Sequence, residues 1–263
     1  MEFYTIASSS AGNASLVCHE DTHILIDAGV SCRRITQSLA ALDLTLEDID
    51  AILITHEHID HVRGLATLAK KCGAGLYATY GTESALDYPA QRVHAFAAGD
   101  EFTVGPLRVK SFRTSHDARE SVGYRIESDD GSLAVLTDTG VITDEAHDLA
   151  LGADTLLLEA NHDVEMLTTG PYPYPLKRRI LGEYGHLSNE AAAEFAVECV
   201  RAGTSDILLA HLSGENNTPQ LAEYTVGRAL QAGGLTVRLS AAPRDTISEV
   251  HLCRRSPSFA SEN

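Results

Sequence analysis

One hexapeptide limits what this chain can fold into and do more than any other stretch. His56-Glu57-His58-Ile59-Asp60-His61 follows directly on the apolar run Ala51-Ile52-Leu53-Ile54, so a strand ending at Thr55 opens into three imidazoles and the Asp60 carboxylate. Neutral imidazoles are good ligands for zinc, manganese or iron, and a carboxylate adds the negative charge that holds a second divalent ion beside the first. His56 and His58, two residues apart, leave the strand end on one side of a loop, while Asp60 and His61 turn toward the start of the next helix. Two ligand pairs facing two adjacent ions are therefore expected. The zinc-helix pattern His-Glu-x-x-His does not apply, because position 60 is Asp.

At 263 residues and 44 % hydrophobic composition, the chain can bury one large core, and no linker or composition shift divides it. A single hydrolase domain over 1–253 and a disordered tail over 254–263 are expected. The opening Met1-Glu2-Phe3-Tyr4-Thr5 lacks a basic segment followed by an apolar run, and no stretch approaches the ~20 apolar residues that cross a bilayer. The expectation is a soluble cytoplasmic protein with no membrane partner. Five scattered cysteines, with no CxxC pair, fit reduced and buried thiols. The net charge of −17 excludes broad coating of nucleic acid. It leaves room for short-range binding at a metal centre, helped by the basic run Lys177-Arg178-Arg179.

Strand-like runs at 3–7, 15–18 and 24–26 predict a meander, separated by Ser8-Ser9-Ser10-Ala11-Gly12-Asn13 and His19-Glu20-Asp21-Thr22. A helix over 31–41 and a strand over 51–55 follow, then the histidine loop and a helix over 62–71. Strands at 75–78, 101–104, 107–112, 122–127 and 133–137 start a second sheet. The pattern closes with helix 144–151, strand 155–159, helix 188–202, strand 207–210, helix 219–231 and strand 235–239. Two groups of strands, each with helices for one face, predict an α/β chain in four layers, an αββα sandwich with ligands converging on one edge.

Four side chains do not close two metal sites, so the remaining ligands should be His or Asp just after strands. His116, Asp138 and His211 meet that condition. Asp138 would bridge ions about 3.5–4 Å apart, with His116 completing one shell and His211 the other. His162 is the chief competitor of His116, which is favoured because it precedes Asp138 by one hairpin.

His-x-His-x-Asp-His, followed by His116, Asp138 and His211, resembles the metallo-β-lactamase fold superfamily over nearly the whole chain. The resemblance implies that fold, and for Asp27 in Ile26-Asp27-Ala28-Gly29 it implies a carboxylate that orients a ligand histidine. Narrower likeness lies in Ser8 to Asn13, Glu159-Ala160-Asn161-His162-Asp163, Gly170 to Arg179, Gly185-His186-Leu187-Ser188-Asn189 and His211 to Thr218. Together these resemble the YycJ/WalJ branch of bacterial metallo-hydrolases, which implies a 5′-to-3′ DNA exonuclease. Ala11 departs from the pattern, where Ser or a similar small residue is expected.

The implied cofactors are two divalent ions, Zn2+ or Mn2+ with iron an alternative, sharing a hydroxide that attacks phosphorus. His186 would then protonate the departing sugar oxygen as general acid, with Glu159 holding its tautomer and Asp60 serving as ligand and hydrogen-bond acceptor. This Glu and His pairing resembles that of the tRNA-processing nucleases of the superfamily. Ser9, Asn13, Asn161 and His162 are expected to line the mouth and meet phosphate oxygens. Pro171, Pro173 and Pro175, interleaved with Tyr172 and Tyr174, predict a stiff extended segment whose rings stack on a base, followed by Lys177, Arg178 and Arg179 to offset negative charge for the incoming strand, with Lys177 and Arg178 as candidate substrate contacts. DNA is the expected partner, with RNA or a small phosphodiester as alternatives. Thioester or lactone hydrolysis, and a noncatalytic metal-dependent binding module, use the same ligands and compete with this reading.

Overall fold

Strands such as Ala51–Leu53, Ser132–Leu136 and Asp206–Ala210 are buried along their whole length. Such strands offer no face to water and must be covered on both sides. In the computed structural model, which describes residues 1–86 and 92–255, a second sheet supplies one cover and helices the other. The strands are β1 (Glu2–Ala7), β2 (Ala14–His19), β3 (Thr22–Ile26), β4 (Ala51–Leu53), β5 (Gly75–Thr79), β6 (Val93–Phe96), β7 (Glu101–Val104), β8 (Leu107–Arg113), β9 (Val122–Glu127), β10 (Ser132–Leu136), β11 (Thr155–Glu159), β12 (Asp206–Ala210), β13 (Arg238–Ala241) and β14 (His251–Leu252).

Among the described residues these form two seven-stranded sheets, ordered β14-β1-β2-β3-β4-β5-β6 and β13-β12-β11-β10-β9-β8-β7. Each sheet begins as an antiparallel meander and continues in parallel, from β3 through β6 in one and from β10 through β13 in the other. The halves are thus built alike, although no internal repeat is visible in the sequence. Alternation sorts the side chains: Ile24, Ile26, Leu133 and Val135 meet between the sheets, whereas Leu25, Ala134 and Leu136 face the helices. The helix Cys32–Ala40 covers the first sheet, and Asp144–Ala150, Asn189–Arg201 and Pro219–Ala232 cover the second. This is the four-layer αββα sandwich that the pattern predicted. No helix among the described residues is long and apolar enough to cross a membrane.

Several expectations need correction. The helix expected over 62–71 is two short ones, Ile59–Val62 and Leu65–Leu68, so helix begins inside the hexapeptide. The break falls at Gly64, whose N–H leaves the helix to reach the Ala28 carbonyl at 2.7 Å. The extended proline segment becomes the helix Tyr174–Ile180 after Pro173, with Pro175 in the first turn, where a missing N–H costs nothing. The last parallel strand is Arg238–Ala241, shifted from 235–239, and β6, β14 and the helices Tyr80–Glu83 and Val164–Thr169 were not foreseen because each is four to six residues or fewer. The expected tail lies, from residue 256 onward, outside the described residues.

Gly29 shows how tightly the metal loop is seated. Its N–H donates to the Asn13 carbonyl at 2.7 Å, and the Asn13 N–H donates to the Asp60 carbonyl at 2.8 Å. A Cβ on Gly29 would stand 1.6 Å from that Asp60 oxygen, which is backbone and cannot step aside alone. Gly29→Ala is therefore expected to destabilise the chain by about 3 kcal/mol or more, read as a lower denaturant midpoint. An unchanged midpoint would mean that the Asp60 loop is loosely held.

Candidate metal centre

The parallel strands β3, β4, β10, β11 and β12 end on one edge of the sandwich, and the residues just beyond them supply the site. Three of these residues, Asp27, Asp138 and His211, have φ of 60°, 56° and 57°. Left-handed backbone is uncommon outside glycine and costs on the order of 1–3 kcal/mol per residue, so it persists only where the surroundings enforce it. Here each turn brings its side chain toward the same point. Ser8 helps to enforce the last one, accepting the His211 N–H at 2.9 Å.

Hydrogen bonds on the outer side of each ring decide which nitrogen faces inward. His61 Nδ1 lies 2.7 Å from Asp27 Oδ2, and His116 Nδ1 lies 3.1 Å from the Gly185 carbonyl; both partners only accept, so both Nδ1 atoms carry hydrogen. Glu159 Oε1 fixes His211 in the same tautomer at 2.8 Å. The Thr55 hydroxyl already donates to Asp27 and so accepts from His56 Nδ1 at 3.1 Å. His56 Nε2 is then left buried with no hydrogen-bond partner. Two of the groups able to hold an ion divide the histidines, His56 with His58 and His116, and Asp60 with His61 and His211; two more overlap them, His56 with His61 and Asp138, and Asp138 with Glu159, His186 and His211. Asp138 stands between the first two, 3.2 Å from His61 Nε2, 3.8 Å from His116 Nε2 and 3.5 Å from His211 Nδ1.

The field at this point favours cations. Burial would raise the Asp138 carboxyl, but His211 and His61 outweigh it and hold it well below the usual carboxylate range. Burial pulls His61 down, yet Asp138 and Asp27 lift it well above the ordinary imidazole value; burial likewise opposes His211, which Asp138 and Asp60 raise to about 10. Burial holds His56 and His116 below the ordinary value, leaving both neutral, the form that binds metal. An orphaned buried ring nitrogen amid carboxylates and neutral imidazoles is a donor set that fits divalent metal ions. Asp27→Asn keeps a side chain that tolerates positive φ, but cannot accept from Thr55 and His61 together. It is expected to lower metal affinity roughly 10–100-fold, measured by chelator competition; equal affinity would reduce Asp27 to a turn residue.

Beside the cluster, Glu159 is fully buried and serves two rings at once. Its Oε1 accepts from His186 Nδ1 and His211 Nδ1 at 2.8 Å each, and its Oε2 accepts the Thr139 and Leu187 N–H groups at 2.9 Å and 3.1 Å. Burial raises this carboxyl, but His186 and the bonds from both rings bring it down to about 2, so it is ionised. His186 is the more open ring, with 18 % of its side chain exposed, and its Nε2 is free to work at the surface of the cluster.

The other expected residues sit differently. His162 lies outside both metal-holding groups; it is 1 % exposed, with neither ring nitrogen bonded. Asn13 is buried, with its amide 3.1 Å from His61 Nε2 and bonded to Ser9, and the Ser9 N–H and hydroxyl are spent within the same loop. Asn161 donates to the His211 carbonyl at 2.8 Å. Ser9, Asn13, Asn161 and His162 are thus all buried, with Asn13 reaching the inward nitrogen of His61 and Asn161 tied to the His211 backbone. Lys177 caps the preceding helix through the Thr168 and Gly170 carbonyls, while Arg178 is exposed. Sequence reasoning missed Thr55, which joins Asp27 to two rings, and the Arg179 and Asp117 pair. Asp117 carried one signal, its place directly after His116.

Comparison with known proteins agrees with this architecture. Residues 22–212 match the Beta-lactamase superfamily domain. Over 252 residues the chain is 40 % identical to the exodeoxyribonuclease WalJ of Streptococcus pneumoniae serotype 2, spanning 93 % of this chain and 94 % of that protein. It is 38 % identical over 242 residues to the exodeoxyribonuclease YycJ of Bacillus anthracis, spanning 90 % and 92 %. Among solved structures, the metallo-beta-lactamase fold protein YhfI of Bacillus subtilis superposes with a TM-score of 0.71 over 94 % of this chain and 98 % of that one. At 17 % identity that likeness speaks for the fold alone.

Proposed function

Because this chain belongs to the β-lactamase superfamily, we propose that it is a metal-dependent phosphodiesterase that degrades DNA from the 5′ end. Near-full-length similarity to two exodeoxyribonucleases supports the substrate. The observation that carries the chemistry is the Glu159–His186 pair at the edge of the cluster. A sugar alkoxide is a poor leaving group and needs a proton, whereas the thiolate of a thioester leaves without one.

His56, His58 and His116 would hold one divalent ion and Asp60, His61 and His211 the other, with Asp138 shared. Such ions, when bound, lower the pKa of water and polarise a phosphoryl oxygen. Zinc or manganese suits this His and Asp shell, and iron is compatible with it. Asp27 orients His61, and Glu159 orients His211 and His186 together. With Nδ1 committed to Glu159, His186 delivers its proton from Nε2 to the departing oxygen. The paired carboxylate fixes the ring so that Nε2 points away from Glu159. Exposed Ile59, in the short helix that carries Asp60, and Tyr184, in the turn that carries His186, offer apolar surface to an unpaired base. Five free cysteines fit a reducing compartment such as the cytoplasm.

Metal-loaded protein incubated with 5′-labelled and 3′-labelled duplex DNA, single-stranded DNA, RNA and bis(p-nitrophenyl) phosphate tests the proposal. Labelled mononucleotide should appear early from the 5′-labelled DNA and only late from the 3′-labelled DNA, and excess chelator should abolish both. Cleavage of the small ester alone would sink the exonuclease reading.

A further inference from the structure

Arg179 is the member of the basic run that the site itself holds in place. Its Nε and Nη2 donate to the two oxygens of Asp117 at 2.5 Å and 3.0 Å. Asp117 Oδ1 in turn stands 3.6 Å from His116 Nε2, so a single carboxylate separates the guanidinium from a ring of the cluster. The Asp60 charge acts on the same guanidinium. About half of the Arg179 side chain, 53 %, remains exposed. The fork uses two of the five guanidinium N–H groups, and no other acceptor among the described residues takes the rest. Arg179 is therefore an oriented cation with donors to spare.

Its place in the chain says which phosphate it meets. The helix Tyr174–Ile180 runs into the turn that returns His186 to the cluster, where the His186 N–H donates to the Ile180 carbonyl at 3.0 Å. Arg179 and His186 thus belong to one segment: His186 packs against the His116 ring, and Arg179 reaches that ring through Asp117. In 5′-end trimming that breaks the P–O3′ bond, water oxygen bonds to phosphorus, the P–O3′ electron pair leaves on O3′, and His186 supplies the proton. That O3′ belongs to the terminal nucleotide, which must then lie on the His186 side. The scissile diester occupies the cluster, so the phosphate left for Arg179 is the one at the 5′ end of that nucleotide.

We infer that Arg179, held by Asp117, recognises a 5′-terminal phosphate monoester and makes the chain selective for 5′-phosphorylated DNA. The inference rests on the nuclease reading above. A monoester carries about −1.5 to −2 charges near neutral pH against one on a diester, so a guanidinium fork distinguishes them. Each cut also leaves a new 5′-phosphate on the shortened strand, which regenerates the recognised end.

The test is the ratio of kcat/KM for 5′-phosphorylated over 5′-hydroxyl duplex, measured in the metal-loaded full chain. The wild type should favour the phosphorylated end, and R179A should shrink that ratio roughly ten- to a hundredfold. R179K, which keeps charge and side-chain length but loses the fork, should fall between. A merely structural role for Arg179 would depress both substrates alike and leave the ratio standing, which overturns the inference. A wild type that cuts both ends equally also overturns it while sparing the nuclease reading; a wild type that cuts neither removes both.

Discussion

His186→Ala is expected to lower kcat on DNA by about 10²–10⁴-fold while both metal ions stay bound. The separation of effects follows from the assigned roles: His186 belongs to neither triad that would hold the ions, although it shares a further group with Asp138, Glu159 and His211, and its Nδ1 is fixed 2.8 Å from Glu159. If its part is to protonate the leaving oxygen, the loss must depend on how badly that oxygen needs a proton. Nitrophenolate leaves without help, so bis(p-nitrophenyl) phosphate should lose much less. Equal losses on both substrates would remove His186 as the acid and leave it a structural partner of Glu159, since Ser188 caps the helix that starts at Asn189.

Glu159→Gln should be as severe, for a different reason. One carboxylate oxygen fixes both His186 and His211, and the other takes two backbone N–H groups. A glutamine can offer one oxygen, and its NH2 would be forced against N–H donors. We expect metal affinity to fall roughly 10–100-fold through His211 and, with metal saturating, kcat to fall about as far as in His186→Ala. In the His186→Ala, Glu159→Gln double variant, kcat should drop little beyond either single variant, because both act on the same proton. Multiplying losses would show that Glu159 acts on turnover by a separate route.

Much of this site could be read before any coordinates. The hexapeptide is dense enough in imidazole to be unmistakable, and His116, Asp138 and His211 could be found because each follows a recognisable apolar strand. What escaped depended on local geometry. The left-handed turns at Asp27, Asp138 and His211 are not encoded by glycine, so the sequence carried no sign of them. Lys177, Arg178 and Arg179 could not be told apart in the sequence, because the proline-rich stretch before them reads as extended. Once Tyr174–Ile180 is a helix, its phase turns Lys177 to the preceding helix and Arg179 to Asp117. Ser9 and Asn13 were placed at the mouth because a Ser- and Gly-rich loop looks available for phosphate. The Ser9, Ala11 and Gly12 N–H groups are in fact bonded inside the loop, and that of Asn13 to the Asp60 backbone.

The most direct test of the central claim is a titration of chelated protein with Mn2+ or Zn2+ that follows bound metal and release of 5′-labelled nucleotide together. Two equivalents should bind, full activity should require the second, and Asp138→Ala should lose both the second ion and the activity. Full activity at one equivalent, or DNA cleavage that survives complete chelation, would contradict a shared two-ion centre built on Asp138.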